Sequence, residues 1–374
     1  MTQPEGGASP APAGSSPLEP TYEGDFVPGR DLMLESGQVL ATPTLHYAVY
    51  GRLNAARDNA VLVCHALTGS ARVGSWWPEI FGPGAVLSLE HDFVICINML
   101  GSCYGSTGPG SVNPATGRIY GPEFPLISIR DNVKAQAQLL DSLGIRRLRL
   151  VLGGSIGGMQ ALEWAIHDPL RVERAVIIAV APLSAMGLAL NHLQRQAIQN
   201  DPDWAGGNYL PKRPPRSGLA LARQIGMLSY KSAPLFDERF ARRPNRNGED
   251  PWEPDGDRGR LLGGRFDIAG YLEYQGQRFI DRFDANSYLA ILRTMDTWDP
   301  LHGHSSAGDI FGRIRAQLTF VGISSDWLFT ADAVREFAES ICAAGVKADY
   351  REMNSAHGHD AFLAEQVELV RLLQ

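Results

Sequence analysis

The apolar positions of this chain follow two alternating rhythms. Short unbroken runs, AVLVC at 60–64 and FVICIN at 93–98, read as strands buried on both faces of a parallel sheet. Longer segments repeat apolar residues every three or four positions. Residues 129–143 carry Val133, Ala137, Leu140 and Leu143 on one face, with Gly144 as a C-cap signal. The alternation continues through a strand at 147–152, a helix ending at His167 and a strand at 175–180. It resumes with a strand at 316–322, a helix at 330–344, a strand at 348–353 and a last helix at 360–373. Strand and helix alternating with short connections predict an α/β fold, a mostly parallel sheet with helices on both faces. Residues 30–50 alternate by two, as an opening β-hairpin with Ser36-Gly37 at its turn.

The rhythm changes between 184 and 300. Strand-like runs become rare, helices are predicted at 186–200 and 218–231, and 242–264 is polar and rich in Pro, Gly and Arg. This reads as a mainly helical lid, 184–300, inserted into a core made of 21–183 and 301–374. Residues 1–20, rich in Pro, Gly, Ser and Ala, lack the apolar surface to order themselves and are expected to be a flexible tail. They have neither the basic start nor the apolar centre of a signal peptide. The longest apolar region, 175–193, is broken by Pro182 and Ser184 and is too short to span a bilayer, so no membrane role is expected.

Composition narrows the function classes. With 34 basic and 41 acidic residues the net charge is −7, which argues against a nucleic-acid surface as the main function. The basic clusters at 212–216 and 239–246 sit in proline-rich or polar segments and are expected to be solvated loops. The cysteines, Cys64, Cys96, Cys103 and Cys342, show neither paired spacing nor a metal pattern. Free thiols in a cytoplasmic protein without a metal are the simplest account.

The chemistry is concentrated where the strand at 147–152 ends in Gly153-Gly154-Ser155-Ile156-Gly157-Gly158 and a helix follows at once. Strand, tight turn and helix with a serine at the apex is the context of a Gly-x-Ser-x-Gly nucleophile elbow. A Cβ at 153 or 157 would collide with the turn or the neighbouring strand. A Gly-rich turn holding a phosphate is the bland alternative. A serine nucleophile needs a base, and the base needs an orienting acid. Asp326, in Ser324-Ser325-Asp326-Trp327, follows a late strand at its carboxyl end, where active-site residues of open α/β sheets gather. Two histidines, His357 and His359, follow the last strand. His359 is preferred because Gly358 frees the backbone to aim its ring, and His357 is expected to be an exposed loop residue. Asp360 reads as a helix cap, a second orienting acid or a substrate contact. Oxyanion donors are expected from the backbone N–H groups of Ile156 and Leu67. His65, at a strand end, is tempting as another base but is more often structural there.

Five blocks in this order, HALTG at 65–69, NMLGSCYGSTGPGSVNPATGRIYG at 98–121, LGGSIGGMQALEWA at 152–165, ISSDWLF at 323–329 and HGHDAFL at 357–363, resemble the homoserine O-acetyltransferases of the α/β-hydrolase fold. The likeness runs over about residues 30–370. It implies acetyl transfer from acetyl-CoA to the hydroxyl of L-homoserine, towards methionine, by a ping-pong route through an acyl-serine. It also implies a homodimer with a helical lid, acetyl-CoA serving as co-substrate rather than as a bound cofactor. By motif, Ser155 matches the nucleophile, Asp326 the acid, His359 the base, and Leu67 and Ile156 the oxyanion donors. Arg223 in LALARQIGMLSY and Asp360 match positions that hold the amino acid's charged ends, with Tyr230 nearby. Ile156 stands where the family commonly has methionine, which leaves its N–H unchanged. Arg72 stands where acetyl-specific relatives usually carry histidine. A guanidinium there could meet a succinyl carboxylate, which leaves a homoserine or serine O-succinyltransferase as the alternative. An esterase or thioesterase would use the same triad with water.

Overall fold

The computed structural model describes residues 17–209, 213–252 and 264–374. Its frame is an 8-stranded sheet. The strands are β1 (Tyr22–Phe26), β2 (Leu45–Gly51), β3 (Ala60–Cys64), β4 (Phe93–Ile97), β5 (Leu150–Gly154), β6 (Arg174–Ile178), β7 (Gln317–Ile323) and β8 (Ala348–Met353). They lie in the order β1-β2-β4-β3-β5-β6-β7-β8. β2 runs antiparallel to both β1 and β4, and every other pairing is parallel. The continuous apolar runs follow from burial on both faces. Leu62 of β3 packs with Ile95, Val151 and Ile177 on one side, while Val61 and Val63 face Trp77 and Phe362 on the other.

Helices α1 (Ile129–Ser142) and α2 (Ile156–His167) cover the first face. Ser128 and Asp131 start α1 with a reciprocal capping box. After β6 come α3 (Ala185–Gln199), α4 (Arg216–Tyr230), the short helix Ala233–Arg239, α5 (Asp267–Ile280) and α6 (Ala285–Asp296). α7 (Ala331–Ala343) then packs on β7 and β8. No helix among the described residues is long and apolar enough to cross a membrane.

Several expectations change. The opening hairpin forms only between Leu32–Met33 and Val39–Leu40, and its expected second arm joins the main sheet as β2. β1, YEGDF, lies at the sheet edge and is largely polar, so it lacked an apolar signal. α5 carries Gly270 and Gly276, which weaken a helical pattern. Gly276 is the site of close packing on α4, since a Cβ there would stand 2.9 Å from the Ala220 carbonyl oxygen. The last helix breaks into Ala361–Ala364 and Gln366–Leu373 because Glu365 has φ −115° and ψ 54°. The expected tail lies outside the described residues up to 16. Leu18 is already tied to the core, its N–H donating to the Gly74 carbonyl at 3.2 Å. Residues 210–212 and 253–263, parts of two expected polar loops, also lie outside them.

The turn between β5 and α2 is wedged against β3. A Cβ on Gly157 would stand 2.2 Å from the Cys64 carbonyl oxygen, and one on Gly153 2.5 Å from the Gly157 carbonyl carbon. Neither neighbour can yield, because both are backbone. Gly157→Ala should therefore cost about 3 kcal/mol or more by overpacking. Gly110→Ala, where a Cβ meets nothing within 4 Å, should change stability by less than about 0.5 kcal/mol. Urea unfolding of the two variants checks this, and equal midpoints would contradict the wedge.

Candidate active site

Ser155 sits at the apex of that turn with φ 57° and ψ −130°. Such a backbone costs on the order of 1–3 kcal/mol for a residue with a Cβ and persists only where its surroundings fix it. The Ser155 carbonyl accepts the N–H groups of Gly158 and Met159, while its hydroxyl makes no cap bond. The side chain is left to face a cavity of about 1550 Å³. Residues from the carboxyl ends of the sheet and from the lid line it together.

His359 and Asp326 reach the same place on the loops after β8 and β7. His359 Nδ1 and Asp326 Oδ2 are 2.6 Å apart, and both side chains are buried. Asp326 Oδ1 accepts the N–H groups of Leu328 and Phe329 at 2.8 and 3.0 Å, which fixes the carboxylate. The His359 ring lies between aromatic neighbours, with Phe329 and Tyr230 at centroid distances of 5.4 and 6.2 Å. Burial disfavours its imidazolium, but the charge and hydrogen bond of Asp326 outweigh that, and its pKa lies above the ordinary value. His359 and Ser155 both line the cavity and are not hydrogen-bonded to each other in this state.

Leu67, after β3, lines the cavity, and Ile156 is the first residue of α2. Neither backbone N–H has an acceptor among the described residues. An amide at the helix N-terminus next to Ser155, with a second from a residue on the same cavity wall, suits a developing oxyanion. His65 is engaged otherwise. Its Nδ1 bonds the Ala66 carbonyl at 2.8 Å and its Nε2 accepts the Met99 N–H at 3.2 Å. Burial pulls its pKa down to about 4, so it is a neutral structural residue.

Arg223, on α4, lines the cavity with its guanidinium 5.4 Å from the Tyr230 ring centroid and 5.0 Å from that of Phe279. It has no carboxylate partner among the described residues. The Tyr230 phenol is buried, which raises its pKa and keeps it neutral. Asp360 makes no cap bond at the helix it precedes. Its Oδ2 instead lies 3.2 Å from the buried Lys231 Nζ, and its N–H donates to the Tyr230 carbonyl at 3.0 Å. Lys231 Nζ also donates to His357 Nε2 at 2.8 Å. His357 is therefore half-buried, not the exposed loop residue expected. Burial and the neighbouring ammonium bring its pKa down to about 4.

Three features escaped the sequence reading. Lys231 carried no motif, and only its position beside Tyr230 hinted at it. Arg239 and Arg246, expected on a solvated loop, line the cavity. Arg72 lines it as well, but its guanidinium is paired with Glu23 at 2.6 Å and Glu19 at 3.7 Å.

The family model of the alpha/beta hydrolase fold matches residues 59–365. The homoserine O-acetyltransferase of Moorella thermoacetica is 45% identical over 354 residues, covering 92% of each chain. The solved structure of a homoserine O-acetyltransferase from Bacillus anthracis is similar at a TM-score of 0.84, with 24% identity, covering 94% of this chain and 98% of that one. Esterase E22 is similar at 0.83, also with 24% identity and coverages of 94% and 98%. At that identity both structures speak to the fold alone. The relationship in sequence extends over 92% of the chain, which belongs to the homoserine O-acetyltransferase family of the α/β-hydrolase fold.

Proposed function

We propose that the protein moves an acetyl group from acetyl-CoA to the hydroxyl of L-homoserine through an acetyl-Ser155 intermediate, a step towards methionine. His359 Nε2 takes the Ser155 proton as Oγ attacks the thioester carbon. The N–H groups of Leu67 and Ile156 hold the tetrahedral oxyanion. The carbon–sulfur bond then breaks, and CoA leaves as the thiol with the proton from His359. Homoserine enters, gives its hydroxyl proton to His359 and attacks the acetyl carbon. Collapse frees Ser155 and O-acetylhomoserine. Asp326 fixes the imidazole tautomer and stabilises the imidazolium.

The observation that carries the reading beyond simple hydrolysis is Arg223. An unmatched guanidinium held on aromatic faces in the cavity of Ser155 and His359 suits an amino acid's carboxylate. Water needs no such cation. Asp360, the residue after the base, offers a carboxylate to the ammonium while Lys231 keeps it in place. The ion pair of Arg72 with Glu23 disfavours a succinyl donor, because the guanidinium's charge is already met.

A homodimer belongs to the same reading. Met186 and Leu193 on α3, and Leu221 and Leu228 on α4, are seven apart and exposed, which leaves apolar stripes on two adjacent helices. Four free cysteines fit a cytoplasmic location.

The test of function is CoA release from acetyl-CoA and succinyl-CoA, each with homoserine, serine or no acceptor. Homoserine should accelerate release from acetyl-CoA alone. Release independent of acceptor would establish an esterase or thioesterase instead. Arg223→Ala should depress transfer by about 30-fold or more, since losing one charged anchor costs on the order of 2–5 kcal/mol. Acylation by acetyl-CoA should persist, leaving slow hydrolysis. Transfer within twofold of wild type would remove Arg223 from the acceptor site.

The pH profile has a sign. His359 must be neutral to act, and its raised pKa places the acid limb of kcat/KM above the ordinary histidine value of 6.5. Asp326→Asn removes the main opposition to burial and leaves only the weaker pull of Asp360, so the limb should move to lower pH while the rate falls about 10⁴-fold. His359→Ala should lose as much, and His357→Ala less than about tenfold, because its ring only accepts from Lys231. An unmoved limb in Asp326→Asn, or a dead His357→Ala, would contradict the assignment.

A further inference from the structure

One patch of the cavity has no part in the acyl-transfer steps. Asp267, Gly270 and Tyr271, spaced at i, i+3 and i+4 on the first turns of α5, all line the cavity. Three side chains from the preceding segment rest on this face. The Arg239 guanidinium lies 5.2 Å from the ring centroids of both Phe240 and Tyr271 and has no carboxylate partner among the described residues. Arg246 Nε donates to Asp267 Oδ2 at 2.8 Å, and its terminal nitrogens have no partner among the described residues. Asn245 is only 5% exposed. Its Oδ1 accepts the Asn247 N–H at 2.9 Å, which fixes the amide's orientation, yet Nδ2 is buried with no hydrogen-bond partner among the described residues. A Cβ on Gly270 would stand 2.8 Å from that nitrogen, so the glycine makes room for it.

A buried donor without an acceptor costs on the order of 1–3 kcal/mol. Beside two arginines whose terminal nitrogens meet no carboxylate among the described residues, it calls for an anion rich in acceptor oxygens. The charge distribution agrees. The whole chain carries −7, yet among the described residues the cavity is lined by Arg72, Arg223, Lys231, Arg239, Arg246 and Arg282 against Glu23, Asp267 and Asp360. A cleft with this excess focuses a positive field on an otherwise acidic protein.

We propose that Arg239, Arg246 and the Asn245 amide form a subsite for the phosphate groups of the acyl donor. The inference rests on the acetyl-CoA reading. The thioester of such a donor must reach Ser155, while its pantetheine arm holds the phosphates well away. Arg239 and Arg246 are exposed and so stand at the rim, whereas Arg223, the cation assigned to the acceptor, is half-buried beside Tyr230. Guanidinium N–H groups match phosphate oxygens in geometry as well as charge. The two aromatic faces hold Arg239 ready for the ligand.

The test compares acetyl-CoA with S-acetylpantetheine, which carries the same thioester without phosphates, at saturating homoserine. Wild-type kcat/KM should favour acetyl-CoA. Arg239→Gln should lower kcat/KM for acetyl-CoA about tenfold through KM, change S-acetylpantetheine less than twofold, and recover in part as Arg239→Lys. Asn245→Asp keeps an acceptor for the Asn247 N–H but replaces the orphaned donor with a negative charge, and should show the same donor-specific loss. Equal losses for both donors, no loss for either, or a wild type indifferent to the phosphates would overturn the subsite while leaving acyl transfer intact. A wild type that acylates from neither donor would overturn the acyltransferase reading and the subsite with it.

Discussion

The structure depends on one close approach, that of the Gly157 backbone to the Cys64 carbonyl at the end of β3. It forces the chain to turn from β5 into α2 without room for a side chain. The strain it imposes falls on Ser155, whose φ of 57° lifts the hydroxyl clear of its own helix. The same wedge sets β3 beside β5, so Leu67 leaves β3 near the first amide of α2. The Ser155 hydroxyl and the amides of Leu67 and Ile156 are thus placed by backbone packing, which solvent and side-chain motion disturb least.

A second clamp joins the helices after β6 to the loop after β8. The end of α4 is tied to the loop of the base by Lys231 to Asp360 and His357, by the Asp360 N–H to the Tyr230 carbonyl, and by Trp327 Nε1 to the Lys231 carbonyl at 3.0 Å. Tyr230 and Arg223 belong to that same helix. Arg223 therefore has a fixed relation to His359. In the reaction we propose, water is far more concentrated than the amino acid, and positioning of this kind, with effective molarities up to ~10⁵ M or more, would let transfer outrun hydrolysis.

Much of this was legible in the sequence, for identifiable reasons. The core strands were continuous apolar runs because both faces are buried. The elbow showed itself because only glycine fits at 153 and 157. Asp326 and His359 were singled out by their place after late strands, and the two side chains lie 2.6 Å apart. The rest lacked a local signal. β1 is polar at the sheet edge, α5 is interrupted by glycines that serve packing, and the place of Lys231 is set by contacts distant in sequence, such as that with His357, 126 residues away. The basic run at 239–246 looked like a solvated loop because composition alone cannot show that α5 turns it toward the cavity.

The central claim is that the acyl group passes through Ser155, and rapid-quench intact-mass spectrometry tests it most directly. Mixed with acetyl-CoA and no acceptor, the protein should gain one acetyl group, mapped to the peptide holding Ser155, and homoserine should discharge it at the steady-state rate. An unmodified chain throughout turnover, with initial-rate lines that intersect when both substrates are varied, would contradict the account.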